Sequence, residues 1–160
     1  MAYREHHYTP TVRWSGNLGE GTAGYLRYSR DNEIYHAGKA TIAGSSDASF
    51  RGDPTRWNPE DLLVAALAQC HMLALLHAAA DGKVCVVDYT DSPIGTMRET
   101  PDGGGHFVSV VLHPLVTVAE GSDVLRLDAL HEKAHQLCFV ANSVNFPVTH
   151  QASFATRTNC

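Results

Sequence analysis

The chain has 160 residues, of which 44% are hydrophobic, 8% aromatic and 18% charged, an ordinary globular composition at a length that buries a core without disulfides or a structural metal. Twelve Lys and Arg against 17 Asp and Glu leave a formal net charge of −5, and no basic block occurs, which argues against a charge-driven hold on nucleic-acid phosphates. Residues 1–7 lack the basic stretch and apolar run of a secretory signal. The expectation is therefore a cytoplasmic protein whose cysteines, Cys70, Cys85, Cys138 and Cys160, stay reduced and serve catalysis, redox sensing or metal binding.

In chain order, strands are predicted over 11–14, 24–28 and 33–42, where Val, Thr and Tyr concentrate between Gly, Asn and Asp. The loop 43–57 is the longest irregular stretch, and loops of that length are commonly functional. A helix follows over 58–80. Asn58 supplies its N-cap, Pro59 suits the first turn, and Glu60 and Asp61 place negative charge at the positive end of the helix dipole. Asp81-Gly82 supplies the stop.

Residues 62–80 carry no full charge and approach the length that crosses a bilayer. Gln69, His71 and His77 interrupt them and charged residues flank them, so a helix covered by protein on every side is expected rather than a membrane span.

Strands are predicted next over 84–89 and 106–118, the latter entered by the turn Pro101-Asp102-Gly103-Gly104-Gly105. A second helix is expected from Ser122 or Asp123 to about Asn142, with Leu130, Ala134, Leu137, Ala141 and Val144 on its apolar face. A last strand covers 148–156. Strands and helices in this order give an α+β class, and the absence of repeats or linkers gives one domain over 1–160.

The run Asn58-Pro59-Glu60-Asp61-Leu62-Leu63-Val64-Ala65-Ala66-Leu67-Ala68-Gln69-Cys70, followed by Ala134-His135-Gln136-Leu137-Cys138, resembles the paired-cysteine pattern of the OsmC/Ohr family of thiol peroxidases. Trp14-Ser15-Gly16 fits the same pattern. The resemblance implies an OsmC-like fold of antiparallel sheets around a long buried central helix and a second helix, assembled as an intertwined homodimer that reduces organic hydroperoxides. It implies Cys70 as the peroxidatic cysteine, Cys138 as the resolving cysteine and Glu60 as the buried acid. The family's activating arginine has two candidates here, Arg51 and Arg56, with Arg51 favoured by its Phe50 and Gly52 neighbours. His71 stands where the best-known members often carry Phe. No cofactor is implied; the partners are a small hydroperoxide, an external dithiol reductant and a second copy of the chain, with neither nucleic acid nor membrane.

Physical chemistry supports a cation near Cys70, because a thiol in mid-helix gains little from the dipole and burial disfavours its charged form. It also supports the dimer. On one continuous helix, Glu60 and Cys70 stand about 15 Å apart along the axis and about 80° around it, too far for one arginine to bridge. An antiparallel copy of the same helix would bring its Glu60 to this Cys70 and cover the apolar surface. Cys85 and Cys160 receive no role.

Two other readings remain. His131-Glu132-Lys133-Ala134-His135 matches H-E-x-x-H, so a metal-binding protein using His131, His135 and Cys138 is one alternative, although no Asp or Glu follows His135 to complete the set. The other is a non-catalytic dimeric module binding a small ligand.

Overall fold

The structure is a computed structural model of the whole chain and describes residues 3–158. The chain forms two compact units, 1–62 and 63–160.

The first unit is built on an antiparallel sheet of β1 (Thr11–Trp14), β2 (Asn32–Tyr35) and β3 (Ile42–Gly44), in that spatial order. The Trp14-Ser15-Gly16 motif has a local cause. The Trp14 indole N–H donates to the Ser29 carbonyl at 2.8 Å, and the Ser29 N–H donates to the Gly16 carbonyl at 2.9 Å. A Cβ on Gly16 would fall 1.9 Å from the Ser29 oxygen, so only glycine allows this approach. The expected strand over 24–28 is a turn instead. Arg30 lies 4.2 Å and 4.3 Å from the ring centres of Tyr25 and Tyr28 and donates to both their carbonyls, which curls the chain where β-propensity alone favours a strand. The expected strand over 33–42 likewise divides into β2 and β3.

The helix α1 (Pro59–Asp81) runs from the first unit into the second. The Asn58 side chain accepts the Asp61 N–H at 2.7 Å, the expected cap. Its stop differs by one residue: the left-handed position belongs to Lys83 (φ 57°), not Gly82. The N–H groups of Lys83 and Val84 return to the carbonyls of Ala80 and Ala79, closing the helix end.

In the second unit, β4 (Val86–Asp91) pairs antiparallel with β7 (Pro114–Ala119), and β5 (Ile94–Glu99) with β6 (Gly105–Leu112). The C-terminal strands β8 (Val148–His150) and β9 (Ser153–Arg157) add in parallel, to β6 and β7 respectively. The sheets are therefore mixed rather than purely antiparallel. The strand expected over 106–118 breaks at His113, whose N–H is taken by Asp91 at 2.8 Å; the Gln151 N–H reaches the Leu112 carbonyl at the same level. These breaks divide one ribbon into two three-stranded sheets.

Leu75, Ala78 and Ala79 of α1 bury against Val116 and Val118 of β7 and against Leu127, Leu130 and Ala134 of α2 (Leu127–Leu137). Leu67 and Ala68 bury against Val110 and Leu112 of β6 and Val148 of β8. At Gly95 a Cβ would lie 2.5 Å from a Val64 methyl, which explains glycine in a strand facing α1.

By length and mean hydropathy (1.8), α1 is apolar enough to cross a membrane, but it packs here as the core helix of the unit. Protein does not cover every side of it: Ala65, Gln69, Leu73, Leu76 and Ala80 form an exposed stripe in the single chain. The second helix is shorter than expected, ending at Leu137, so Leu137 is exposed and Val144 lies outside it.

Candidate active site

Cys70 lies half-buried in the middle of α1, while Cys138 is the first residue past α2, with extended backbone (φ −74°, ψ 102°) and 1% exposure. Cys138 was expected within the second helix; it instead caps the helix end, its N–H held by the His135 carbonyl. This placement brings the two sulfurs together. The Cys138 thiol lies near enough to Cys70 for the two to interact electrostatically, and both are free thiols.

The turn after Cys138 holds its sulfur in place. The Ala141 N–H donates to Cys138 Sγ at 3.4 Å. Burial pushes the Cys138 thiol up to about 11, with the neighbouring Cys70 thiol adding to the rise and the backbone N–H groups of the turn opposing it. At neutral pH Cys138 is therefore a thiol.

A second cluster lies in the same unit. His71 of α1, His131 of α2 and His150 of β8 form a near-equilateral triangle, with ring centres 5.1–5.6 Å apart. His71 Nε2 and His131 Nδ1 share a 2.9 Å hydrogen bond, while His131 Nε2 is buried with no hydrogen-bond partner among the described residues. His71 is held down to about 4 by burial, reinforced by His131, His150 and His135; His131 is held down to about 4 by burial and by His150, with Asp128 opposing. His150 Nε2 lies 3.9 Å from Glu132, which is mostly exposed.

This geometry corrects the metal reading of the H-E-x-x-H run. His131 turns to His71, and no group of three or more His, Cys, Asp or Glu among the described residues is arranged to hold a metal ion. The roles of His71 and His150 escaped the sequence reading. The adjacency of His71 to Cys70 was the one available signal, and nothing local ties position 150 to position 71. The expectation of four reduced cysteines also fails, because Cys85 is disulfide-bonded. Cys160 lies outside the described residues.

The remaining site residues belong to the first unit or to the start of α1. Glu60 Oε2 is buried with no hydrogen-bond partner among the described residues. Arg56 is engaged: its Nε lies 3.8 Å from Asp31 and 3.7 Å from Asp53. Arg51 is exposed and makes no ion pair among the described residues. It follows a short 3₁₀ turn, Ala48–Phe50, and holds a left-handed conformation (φ 67°, ψ 28°) unusual for a residue with a Cβ. Gly52 fixes the loop behind it, since a Cβ there would fall 1.5 Å from the Ser46 carbonyl oxygen.

A thiol in a long core helix, beside a second thiol at the end of a shorter helix within an α+β unit, defines a dithiol protein. A family model for OsmC-like proteins matches residues 52–153, and the chain belongs to that family. An OsmC-like protein of unknown function from Vibrio cholerae superposes with TM-score 0.83 at 29% identity, over 93% of this chain and 100% of that one. An organic hydroperoxide resistance protein OsmC from Legionella pneumophila shares the fold at TM-score 0.66 and 22% identity, over 94% and 99%. One from Elizabethkingia anophelis, with thiocyanate bound, does so at TM-score 0.66 and 19% identity, over 96% and 100%. No curated protein matches the sequence.

Proposed function

We propose that this protein is a thiol-dependent peroxidase that reduces organic hydroperoxides, with Cys70 as nucleophile and Cys138 as resolving thiol. The observation that carries the reading is the proximity of these two free cysteines, one in the middle of α1 and the other at the end of α2. Family membership and the hydroperoxide-resistance proteins of the same fold support it.

The Cys70 thiolate attacks the terminal oxygen of the peroxide and the O–O bond breaks. The alkoxide takes up a proton and leaves as alcohol, and Cys70 becomes a sulfenic acid. Cys138 sulfur then attacks Cys70 sulfur; its own proton and the departing hydroxide form water, and a disulfide remains. An external dithiol reduces that disulfide.

Arg51 is assigned as the activating cation, because Arg56 already faces two carboxylates whereas Arg51 is unengaged in a strained loop position. The buried, unpartnered Glu60 oxygen calls for a donor, which a guanidinium supplies in a bidentate pair. The exposed, mostly apolar stripe of α1 supports a homodimer in which antiparallel copies of this helix meet and each site draws its Glu60 from the partner chain.

Single-turnover kinetics with cumene hydroperoxide test the reading. Cys70→Ser abolishes reduction, and Cys138→Ser reduces one equivalent and stops at the sulfenate. Retention of turnover by Cys70→Ser would overturn the reading. A protein that consumes no peroxide and loses no thiol would be a binding module instead.

A further inference from the structure

We infer that the buried hydrogen bond between His71 and His131 sets the register of α1 on α2 and so aligns Cys138 with Cys70, making the two histidines positioning residues for disulfide closure. This rests on the reading of Cys70 and Cys138 as a redox pair and adds to it the device that aligns them.

The seam between the two helices is otherwise apolar: Leu75, Ala78 and Ala79 of α1 pack with Leu127, Leu130 and Ala134 of α2. His71 stands one turn before Leu75, and His131 stands one turn after Leu127, so both imidazoles extend the packed stripes of their helices. Both are buried, His71 at 1% exposure and His131 completely. Apolar contacts have no direction and tolerate a small shift along or about a helix axis, whereas a hydrogen bond fixes partner, distance and angle. The 2.9 Å contact of His71 Nε2 with His131 Nδ1 therefore marks one register, as a buried polar residue does in an apolar helix interface. His150 of β8 closes the third side, its ring centre 5.6 Å from that of His71 and 5.1 Å from that of His131.

Two other polar links are looser. Lys133 Nζ lies 4.0 Å from Asp81, with both side chains about half exposed, and the Arg126 guanidinium donates to the Gly82 carbonyl at an exposed site. Both engage the far end of α1, away from His71, and water competes for them.

The same two helices carry the thiols. Cys70 immediately precedes His71, and Cys138 ends α2 about two turns beyond His131, which returns it to the buried face. Rotating a helix by about 20° moves a side chain at a radius of about 6 Å by roughly 2 Å. That displacement is as long as the S–S bond that must form. Register therefore decides how often the two sulfurs meet.

Two imidazoles are a costly way to fill an apolar seam, and His131 Nε2 has no hydrogen-bond partner among the described residues. Leucines would bury there more readily but would leave the register unmarked.

The test equilibrates the full-length protein with glutathione buffers of graded composition at pH 7 and measures the Cys70–Cys138 disulfide by peptide mass spectrometry after acid quenching. One oxidised glutathione converts the two protein thiols to a disulfide and leaves as two reduced glutathiones, so the equilibrium constant reports the effective concentration of the thiols. His71→Leu/His131→Leu is expected to lower that constant about tenfold, with a melting temperature at pH 7 no lower than wild type. His71→Gln/His131→Asn places amide groups near the positions of Nε2 and Nδ1, re-forms the bond and returns the constant to within about threefold of wild type. Where the leucine pair does not fold, His71→Phe/His131→Leu supplies the apolar comparison.

An apolar pair with the wild-type constant overturns the inference. An amide pair as low as the apolar pair also overturns it, because ring packing rather than the hydrogen bond is then responsible. So does a wild type that forms no Cys70–Cys138 disulfide in these buffers. Glutathione supplies the oxidising equivalent, so a protein that shows the expected pattern yet consumes no hydroperoxide keeps this inference and loses the peroxidase reading.

Discussion

His71 Nε2 and His131 Nδ1 meet at 2.9 Å, with ring planes 13° apart and ring centres separated by 5.2 Å. The two imidazoles thus lie edge to edge, and one proton occupies the gap between them. His71 is 1% exposed and His131 fully buried, so no solvent is at hand to take a second proton. Protonating both rings would set two N–H groups against each other.

Acid lability follows, and its sign is fixed by the direction of the shifts. Both rings titrate near 4 in the folded state, below the ordinary value of 6.5. As pH falls below 6.5 the unfolded chain takes up protons that the folded chain refuses. The stabilisation is full above that value and is lost progressively down to about pH 4. The two rings titrate as a pair, and together they account for a loss on the order of a few kcal/mol over this window, by the linkage of pKa to stability. Urea unfolding between pH 7 and pH 4 is expected to show this loss, and the double variant His71→Leu/His131→Leu to show a flatter dependence. Equal pH slopes in the two proteins would contradict the histidine origin.

Arg51 separates stability from activity. Its φ of 67° suits glycine better than arginine, so Arg51→Gly is expected to raise unfolding stability by up to about 1 kcal/mol. The same change should slow peroxide reduction by orders of magnitude. Arg56→Ala removes long, partly exposed ion pairs to Asp31 and Asp53, worth about 0–1 kcal/mol, and leaves the peroxide rate within severalfold. Paired thermal melts and stopped-flow traces check both. A fast Arg51→Gly enzyme would return the activating role to another residue.

The exposed stripe of α1 predicts an oligomeric defect. Leu73 is 57% exposed and stands one turn beyond Gln69. Leu73→Arg should leave the single chain folded, yet convert a dimer to a monomer in sedimentation velocity and abolish peroxide turnover. A variant that stays dimeric would place the interface elsewhere, and a fully active monomer would rule out a composite site.

Much of the site was legible because its signals are local. Asn58, Pro59 and Glu60 announce the start of α1, and the cysteine pair is written into two short runs. The rest depends on long-range partners. β5 escaped notice because Gly95, Met97, Arg98 and Glu99 lack apolar alternation, and every residue of that strand is exposed in the single chain. The break at His113 depends on Asp91, 22 residues earlier, and the turn over 24–28 depends on Arg30 gripping two tyrosines. The apolar spacing that extended the second helix to Asn142 also satisfies a short helix, a capping cysteine and a 3₁₀ turn at Ala141–Ser143. The histidine triangle draws its members from α1, α2 and β8, and no sequence window contains all three.

The central claim, that Cys70 and Cys138 act as one redox pair, is tested most directly by titrating the reduced protein with cumene hydroperoxide while counting thiols and mapping peptides. The expected result is consumption of one equivalent of peroxide per chain, loss of two titratable thiols, and a single new disulfide joining the peptides that contain Cys70 and Cys138. Consumption of peroxide with both thiols intact, or a disulfide that omits either cysteine, would contradict it.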